Sequence, residues 1–540
     1  MTVDRTLTVG HTLRAIAARY ADREALVMGE RRYTYAQVLF LALQYANALQ
    51  RMGLQAGDHV GILMPNCVEY VLLFYACALV GLRPVHLNAR YKSADLNYVI
   101  QDSDMRILIT SAKQREFVDY AQMLRKLYPA LTDWRIGQPL QLVEAPLLRA
   151  VYYLHATEPH QWGSEQQLLG DAASVHNENT DPEQIALIMY TSGTTANPKA
   201  CLLSHRALEY AGRALAKRFE MTVEDRFWDP LPFFHMSTML PMAACRASGA
   251  TFIAQEHFEA SASLAEIVNE RATVLFPSFP TLTAALYGHP DFSPELLHRV
   301  RLVNNVGPPD LLRRFAAQLP HAVHVTAYGL TEAGGVIAFN ELSDTPEQLT
   351  ETSGRPFDGI DVKIVDPDTL EARPLGMSGE ILIRGPSMFS GYYNDARRTE
   401  VVYLNREWVR SGDLGALTPE GRIRYLGRLK DMLKVGGENV AALEIEGFLC
   451  THPAVKVAQV IAVPDERLQE VAAAFVELKD GCELTGEELV RYCVGRIASF
   501  KVPRYVQCVT EWPMSATKIQ KFKLSERVDT TRKLDPAQFK

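Results

Sequence analysis

Short apolar runs alternate with helical patterns through most of this chain, and that alternation limits the fold more than any other feature. His59–Met64 (HVGILM) is followed by the apolar helical run Val68–Val80. Arg106–Thr110 (RILIT), Ala186–Tyr190 (ALIMY), Thr251–Ala254 (TFIA) and Thr273–Phe276 (TVLF) repeat the strand signal downstream. Strand runs separated by helices predict an α/β fold with stacked, largely parallel sheets in a large N-terminal domain. From about Gly354 the texture changes. Val362–Val365 and Glu380–Arg384 read as short strands joined by turns, the pattern of a small barrel-like subdomain. A break at Gly427–Lys430 precedes helix Ala441–Cys450 and strands Val457–Val463 and Ala472–Leu478, a small α+β C-terminal domain. The expected division is 1–427, a turn at 428–430, and 431–540.

Composition narrows the function classes. A chain of 540 residues normally divides into several domains or subdomains, and a net charge of −7 gives no basic face for nucleic acid. Val68–Val80 is shorter than the ~20 apolar residues of a membrane span, so no transmembrane segment is expected. The N-terminal stretch MTVDRTLTVGHTLRA lacks an apolar signal core, and the closing QFK is no targeting signal. The eight cysteines form no CxxC pair and read as reduced thiols. These readings predict a cytoplasmic protein.

The sharpest motif is Ile188–Ser204, IMYTSGTTANPKACLLS. A strand ends at Tyr190, and Thr191, Ser192, Gly193, Thr194 and Thr195 follow, with Lys199 after Pro198. Backbone N–H groups and hydroxyls in such a loop suit phosphate oxygens, and a lysine adds a mobile positive charge. The loop is not the GxxxxGK[ST] type. It resembles the phosphate loop of the adenylate-forming superfamily, which holds acyl-CoA synthetases, luciferases and adenylation domains. Ala196 and Ala200 stand where that family usually has glycine.

Further motifs of the family recur in order. Ala327-Tyr328-Gly329-Leu330-Thr331-Glu332 resembles its second signature. The resemblance implies Tyr328 against adenine, Thr331 on the α-phosphate, and Glu332 with Thr191 on Mg2+. Asn304–Pro309 (NNVGPP) is similar to its adenine loop through Gly307 and Pro309, while Val306 and Pro308 depart from it. Asp413, in Ser411-Gly412-Asp413, and Arg428 match its two ribose contacts, and Lys430 its pivot between two lid conformations. Gly436-Gly437-Glu438-Asn439 resembles the segment in which Gly437 lines a pantetheine tunnel. Pro513–Lys523 (PMSATKIQKFK) resembles the segment that carries the adenylation lysine. Lys518 fits best, although the glycine before it is missing. Lys521 and Lys523 are weaker matches. Taken alone, YGLTE would read as a capped helix start and SGD as a common turn.

The resemblance implies a mobile C-terminal lid and a two-step reaction. A small-molecule carboxylic acid attacks ATP to give an acyl-adenylate and pyrophosphate, and coenzyme A, as a substrate, then takes the acyl group and releases AMP. Phe234–Met239, Phe276–Thr281, Val306, Gly334 and Gly335 are the expected acid pocket. His235 there is either close to the carboxylate or a structural histidine. The segment has no aspartate to pair an amino acid's ammonium, and its lining is apolar and soft. A medium-chain, alicyclic or steroid-like acid is therefore expected. Carrier-protein loading, a luciferase-like oxygenase and a non-catalytic binding relative are the alternatives. The oligomeric state stays open, a homodimer included.

Overall fold

The computed structural model describes residues 7–113, 118–157, 160–169, 181–191, 197–436, 438–514 and 519–539. The chain divides into two compact units, Met1–Asp361 with Ile383–Val409, and Val362–Leu382 with Arg410–Lys540. This cut lies within the short-stranded region, upstream of the 428–430 turn expected from the sequence.

The first unit contains two seven-stranded sheets. One runs in the order Val323–Val325, Leu302–Asn305, Val274–Ser278, Arg226–Asp229, Thr251–Ala254, Glu24–Met28, Arg31–Thr34, and only its last pairing is antiparallel. The other runs Gly391–Tyr392, Lys199–Ser204, Ile185–Thr191, Arg83–His86, His59–Leu63, Met105–Ser111, Ala150–Leu154. It is parallel from Ile185–Thr191 onward and antiparallel in its first two pairings. The expected run Val68–Val80 is a helix buried along its whole length, ended by Gly81 in the left-handed conformation. Burial on all sides explains why the run is uniformly apolar rather than amphipathic. Among the described residues, no helix is long and apolar enough to cross a membrane. All eight cysteines are free thiols.

In the second unit a small sheet orders Asp361–Val365, Gly379–Arg384 and Trp408–Leu417, and Ile423–Arg428 pairs antiparallel with the last. Its strands carry the chain between the units. The C-terminal sheet runs Glu438–Ala441, Met432–Val435, Gln469–Leu478, Val455–Asp465, with Tyr505–Cys508 parallel to Gln469–Leu478. Helices Ala442–Leu449 and Gly486–Cys493 supply Ile445, Leu449, Leu489 and Val490 to a core shared with Val460 and Val476.

The helices of the first unit meet at a buried ion pair. Arg246, on helix Met236–Ser248, pairs with Glu209 on helix His205–Arg218. The same guanidinium donates to Thr12 Oγ1 at 3.1 Å and to Tyr75 OH at 3.3 Å, so four helices converge on it. Both charged side chains are about 97% buried, at 2% and 3% exposure. Removing one partner strands a buried charge, which typically costs about 3–5 kcal/mol. Glu209→Ala should therefore destabilise the protein by about 3–5 kcal/mol in denaturant unfolding, and the pair Glu209→Leu with Arg246→Met should recover most of the loss. A Glu209→Ala change of less than about 1 kcal/mol, the worth of a surface pair, would refute this assignment.

Candidate active site

Strand Ile185–Thr191 turns back to pair antiparallel with Lys199–Ser204, with Tyr190 opposite Ala200 and Thr191 opposite Lys199. The connecting residues Ser192, Gly193, Thr194, Thr195 and Ala196 lie outside the described residues. Ala200 sits in the ladder and is buried, so its methyl occupies an ordinary strand position. On its other edge Lys199–Ser204 takes the short strand Gly391–Tyr392, with Tyr392 opposite Cys201. The Lys199 ammonium lies 5.2 Å from the centre of the Tyr392 ring. The Tyr392 hydroxyl donates to Glu332 Oε1 at 2.8 Å. Thr191 Oγ1 is 3.9 Å from Cys201 Sγ. Burial pushes the Cys201 thiol well up, and the Glu332 charge adds to the shift. Thr191, Lys199 and Glu332, three residues expected from sequence, thus come together around Tyr392, which the sequence reading did not single out.

Glu332 is held by a tight hairpin. Ala327 and Tyr328 pair antiparallel with Phe339 and Ala338, and Gly335 N–H donates to Leu330 C=O at 3.1 Å. The turn leaves no room at Gly329, where a Cβ would fall 2.1 Å from the Gly335 carbonyl oxygen. Thr331–Ala333 form a single 3-10 turn capped by Gly334 at φ 79°, a conformation that favours glycine. Tyr328 is buried. Phe389 N–H donates to the Glu332 carbonyl at 2.9 Å, fixing the backbone of the expected metal ligand.

The expected acid-pocket segments touch in two pairs within this unit. Val306 N–H donates to Ser278 C=O at 2.9 Å, and a Cβ on Gly307 would lie 3.2 Å from Pro280 Cγ. Pro309 opens helix Pro309–Gln318, a position where a missing N–H costs nothing. His235 caps helix Met236–Ser248, its ring 4.9 Å from that of Phe234. Met236 lies against Gly335, where an added Cβ would be 3.1 Å from Met236 Cβ. Val306 is 44% exposed, so its side chain is open to a ligand.

In the second unit the two expected ribose residues face each other. Asp413 and Arg428 are register partners in one hairpin, and Arg428 Nε is 3.0 Å from Asp413 Oδ1. Gly412, at φ 67°, turns the strand, its N–H donating to Glu380 Oε1 at 3.2 Å. Lys430 is exposed in the 3-10 turn Leu429–Asp431. Gly436, at φ 60°, follows strand Met432–Val435 in a conformation that favours glycine. Gly437 and Lys518 lie outside the described residues. Met514 bridges Ile519, so the chain is pinched on both sides of the segment that carries Lys518. The Lys521 ammonium is 2.5 Å from the buried Glu446 and 3.9 Å from Asp431. That pairing commits Lys521 to holding its own unit together.

Residues 13–393 match the family of AMP-binding enzymes, and residues 444–518 match the AMP-binding enzyme C-terminal domain. YngI of Bacillus subtilis (strain 168), a protein named for acyl-CoA synthetase activity, is 36% identical over 534 residues, covering 96% of this chain and 97% of its own. Human mitochondrial medium-chain acyl-CoA ligase ACSF2 is 32% identical over 541 residues, covering 97% of this chain and 88% of its own. The structure of anthranilate CoA ligase AuaEII in complex with anthranoyl-AMP superposes with a TM-score of 0.86 at 25% identity, covering 97% of this chain and 98% of that one. With both family regions matched and relatives aligned along nearly its whole length, the chain belongs to the AMP-binding enzymes of the adenylate-forming superfamily, among the acyl-CoA synthetases.

Proposed function

We propose that this chain is an ATP-dependent carboxylic acid–CoA ligase working through an acyl-adenylate. The observation that carries the reading is the cluster in which Tyr392 joins Glu332 to Lys199 beside the hydroxyl-rich hairpin. A carboxylate attacking a triphosphate must approach another anion, so the site needs positive charge and donors more than a base. Lys199, the hydroxyls of Thr191, Ser192, Thr194 and Thr195, and Lys518 are the groups assigned to that task. Bringing acid and α-phosphorus into line supplies much of the rest.

Among the described residues, no group of three or more His, Cys, Asp and Glu could hold a metal ion. One carboxylate and one hydroxyl nevertheless fit Mg2+, a hard cation that keeps positions for phosphate oxygens and water. Glu332 and Thr191 would hold it, and its charge would offset that of the phosphates. Asp413 is assigned to the ribose hydroxyls, two charge-assisted bonds worth about 1.5–3 kcal/mol each, with Arg428 orienting it.

In the second step the coenzyme A thiolate attacks the acyl carbon. The bond from that carbon to the phosphate oxygen breaks, and AMP leaves with the electron pair. Lys430 is assigned as the pivot that exchanges the two steps, and Gly437 as the position where a missing side chain admits pantetheine. For the acid, the lining of Met236, Met239 and Phe279 supports an apolar chain or alicycle, and the human relative's name, medium-chain acyl-CoA ligase, points the same way.

A panel of straight-chain, alicyclic, aryl and amino acids, assayed for AMP release with and without coenzyme A, tests this reading. Medium-chain or alicyclic acids should give the highest kcat/KM, with AMP release dependent on coenzyme A. Preference for amino acids, or AMP release indifferent to coenzyme A, would contradict it. Lys518→Ala should cut acid-dependent pyrophosphate release by about 100-fold or more, the scale of losing a group that stabilises developing charge. Thioester formation from presynthesised acyl-adenylate should be spared. The same pattern in Lys521→Ala but not in Lys518→Ala would shift the assignment to Lys521.

A further inference from the structure

We propose that Tyr392 is a positioning residue for adenylation, orienting the Glu332 carboxylate with its hydroxyl and holding the Lys199 ammonium with its ring before the nucleotide arrives. The inference rests on the reading above that Glu332 and Lys199 serve the metal and the phosphates.

The geometry makes one side chain common to both groups. The hydroxyl donates to Glu332 Oε1 at 2.8 Å, and a carboxylate can only accept, so the proton belongs to Tyr392. One carboxylate oxygen is thereby fixed and the other keeps its lone pairs for a cation. The ring lies 5.2 Å from the Lys199 ammonium, within cation–π range.

The tyrosine is itself held in place. Its N–H donates to Thr399 Oγ1 at 2.9 Å, and its ring packs edge-on to Phe389 with centroids 4.9 Å apart. Backbone bonds from Ser390 to Leu202 at 2.8 Å and from Tyr393 to Ala200 at 2.9 Å clamp its strand onto the hairpin that carries Lys199. The neighbouring Tyr393 hydroxyl donates to Asp104 Oδ2 at 2.8 Å. Phe389, three residues before Tyr392, ties down the Glu332 carbonyl at 2.9 Å. Both ends of the Tyr392–Glu332 bond are therefore fixed by the same short segment. Groups locked in this way lose little freedom when charge develops, which is how a supporting residue contributes to rate.

The test compares wild type, Tyr392→Phe, Glu332→Gln and Thr399→Ala in the full chain. Phenylalanine keeps the ring and its contact with Lys199 and removes only the hydroxyl. Binding of a non-hydrolysable ATP analogue is followed by calorimetry across a Mg2+ series, alongside the two half-reactions. Tyr392→Phe should raise the Mg2+ concentration for half-maximal analogue binding about tenfold, the scale of one charge-assisted bond. Transfer from presynthesised adenylate to coenzyme A should be unchanged. Thr399→Ala removes one of several backbone anchors but leaves the hydroxyl, and should shift the Mg2+ requirement far less than Tyr392→Phe does. A normal Mg2+ requirement in Tyr392→Phe, with a raised one in Glu332→Gln, would overturn the inference and leave the functional reading standing. An equal shift in Thr399→Ala and Tyr392→Phe would overturn it as a general structural effect. A normal requirement in Glu332→Gln would remove the reading on which it rests.

Discussion

Strand Lys199–Ser204 is paired on one edge with Ile185–Thr191 and on the other with Gly391–Tyr392, and the geometry of the candidate site in the first unit follows from that double pairing. The first pairing sets Lys199 opposite Thr191. The second brings in Tyr392 from about 190 residues downstream, and Tyr392 reaches Glu332. Side chains alternate across a strand, so a slip of one residue in either register would turn Lys199 or Tyr392 to the opposite face. The two-sided ladder protects against that slip. It also fits an alanine at position 200, since its backbone is committed to strand bonds and its methyl takes an ordinary strand position.

Much of the fold was legible in the sequence because single elements carry their own signals. Val68–Val80 is a uniformly apolar run closed by Gly81, and Thr251–Ala254 is a β-rich run between turns. Both lie where the pattern puts them. The compact division falls among the short strands after Asp361, whose partners are distant in sequence, and the expected break at Gly427–Lys430 runs into a 3-10 turn.

Candidate residues were visible where they are concentrated in consecutive positions, as in YGLTE, whose Glu332 meets Tyr392. Tyr392 was hidden because its partners are distant in sequence and Gly391-Tyr392-Tyr393-Asn394 reads locally as a strand end. The only local signal was an aromatic pair placed directly after a glycine. The motif residues Asp413 and Arg428 were visible singly, but their direct pairing appears only once Trp408–Leu417 and Ile423–Arg428 are in register. Lys521 is the reverse case. It is a lysine beside the expected catalytic one, and its neighbours Glu446 and Asp431 explain its presence without chemistry.

In the proposed reaction one carboxylate oxygen becomes a phosphate oxygen of AMP, a fate that distinguishes an acyl-adenylate from an acyl-phosphate. A preferred acid labelled with 18O in both carboxylate oxygens, turned over with ATP and coenzyme A, reads that fate directly by mass spectrometry of the products. The account predicts one 18O atom in each AMP and none in pyrophosphate. Label in orthophosphate or pyrophosphate, or unlabelled AMP, would contradict it.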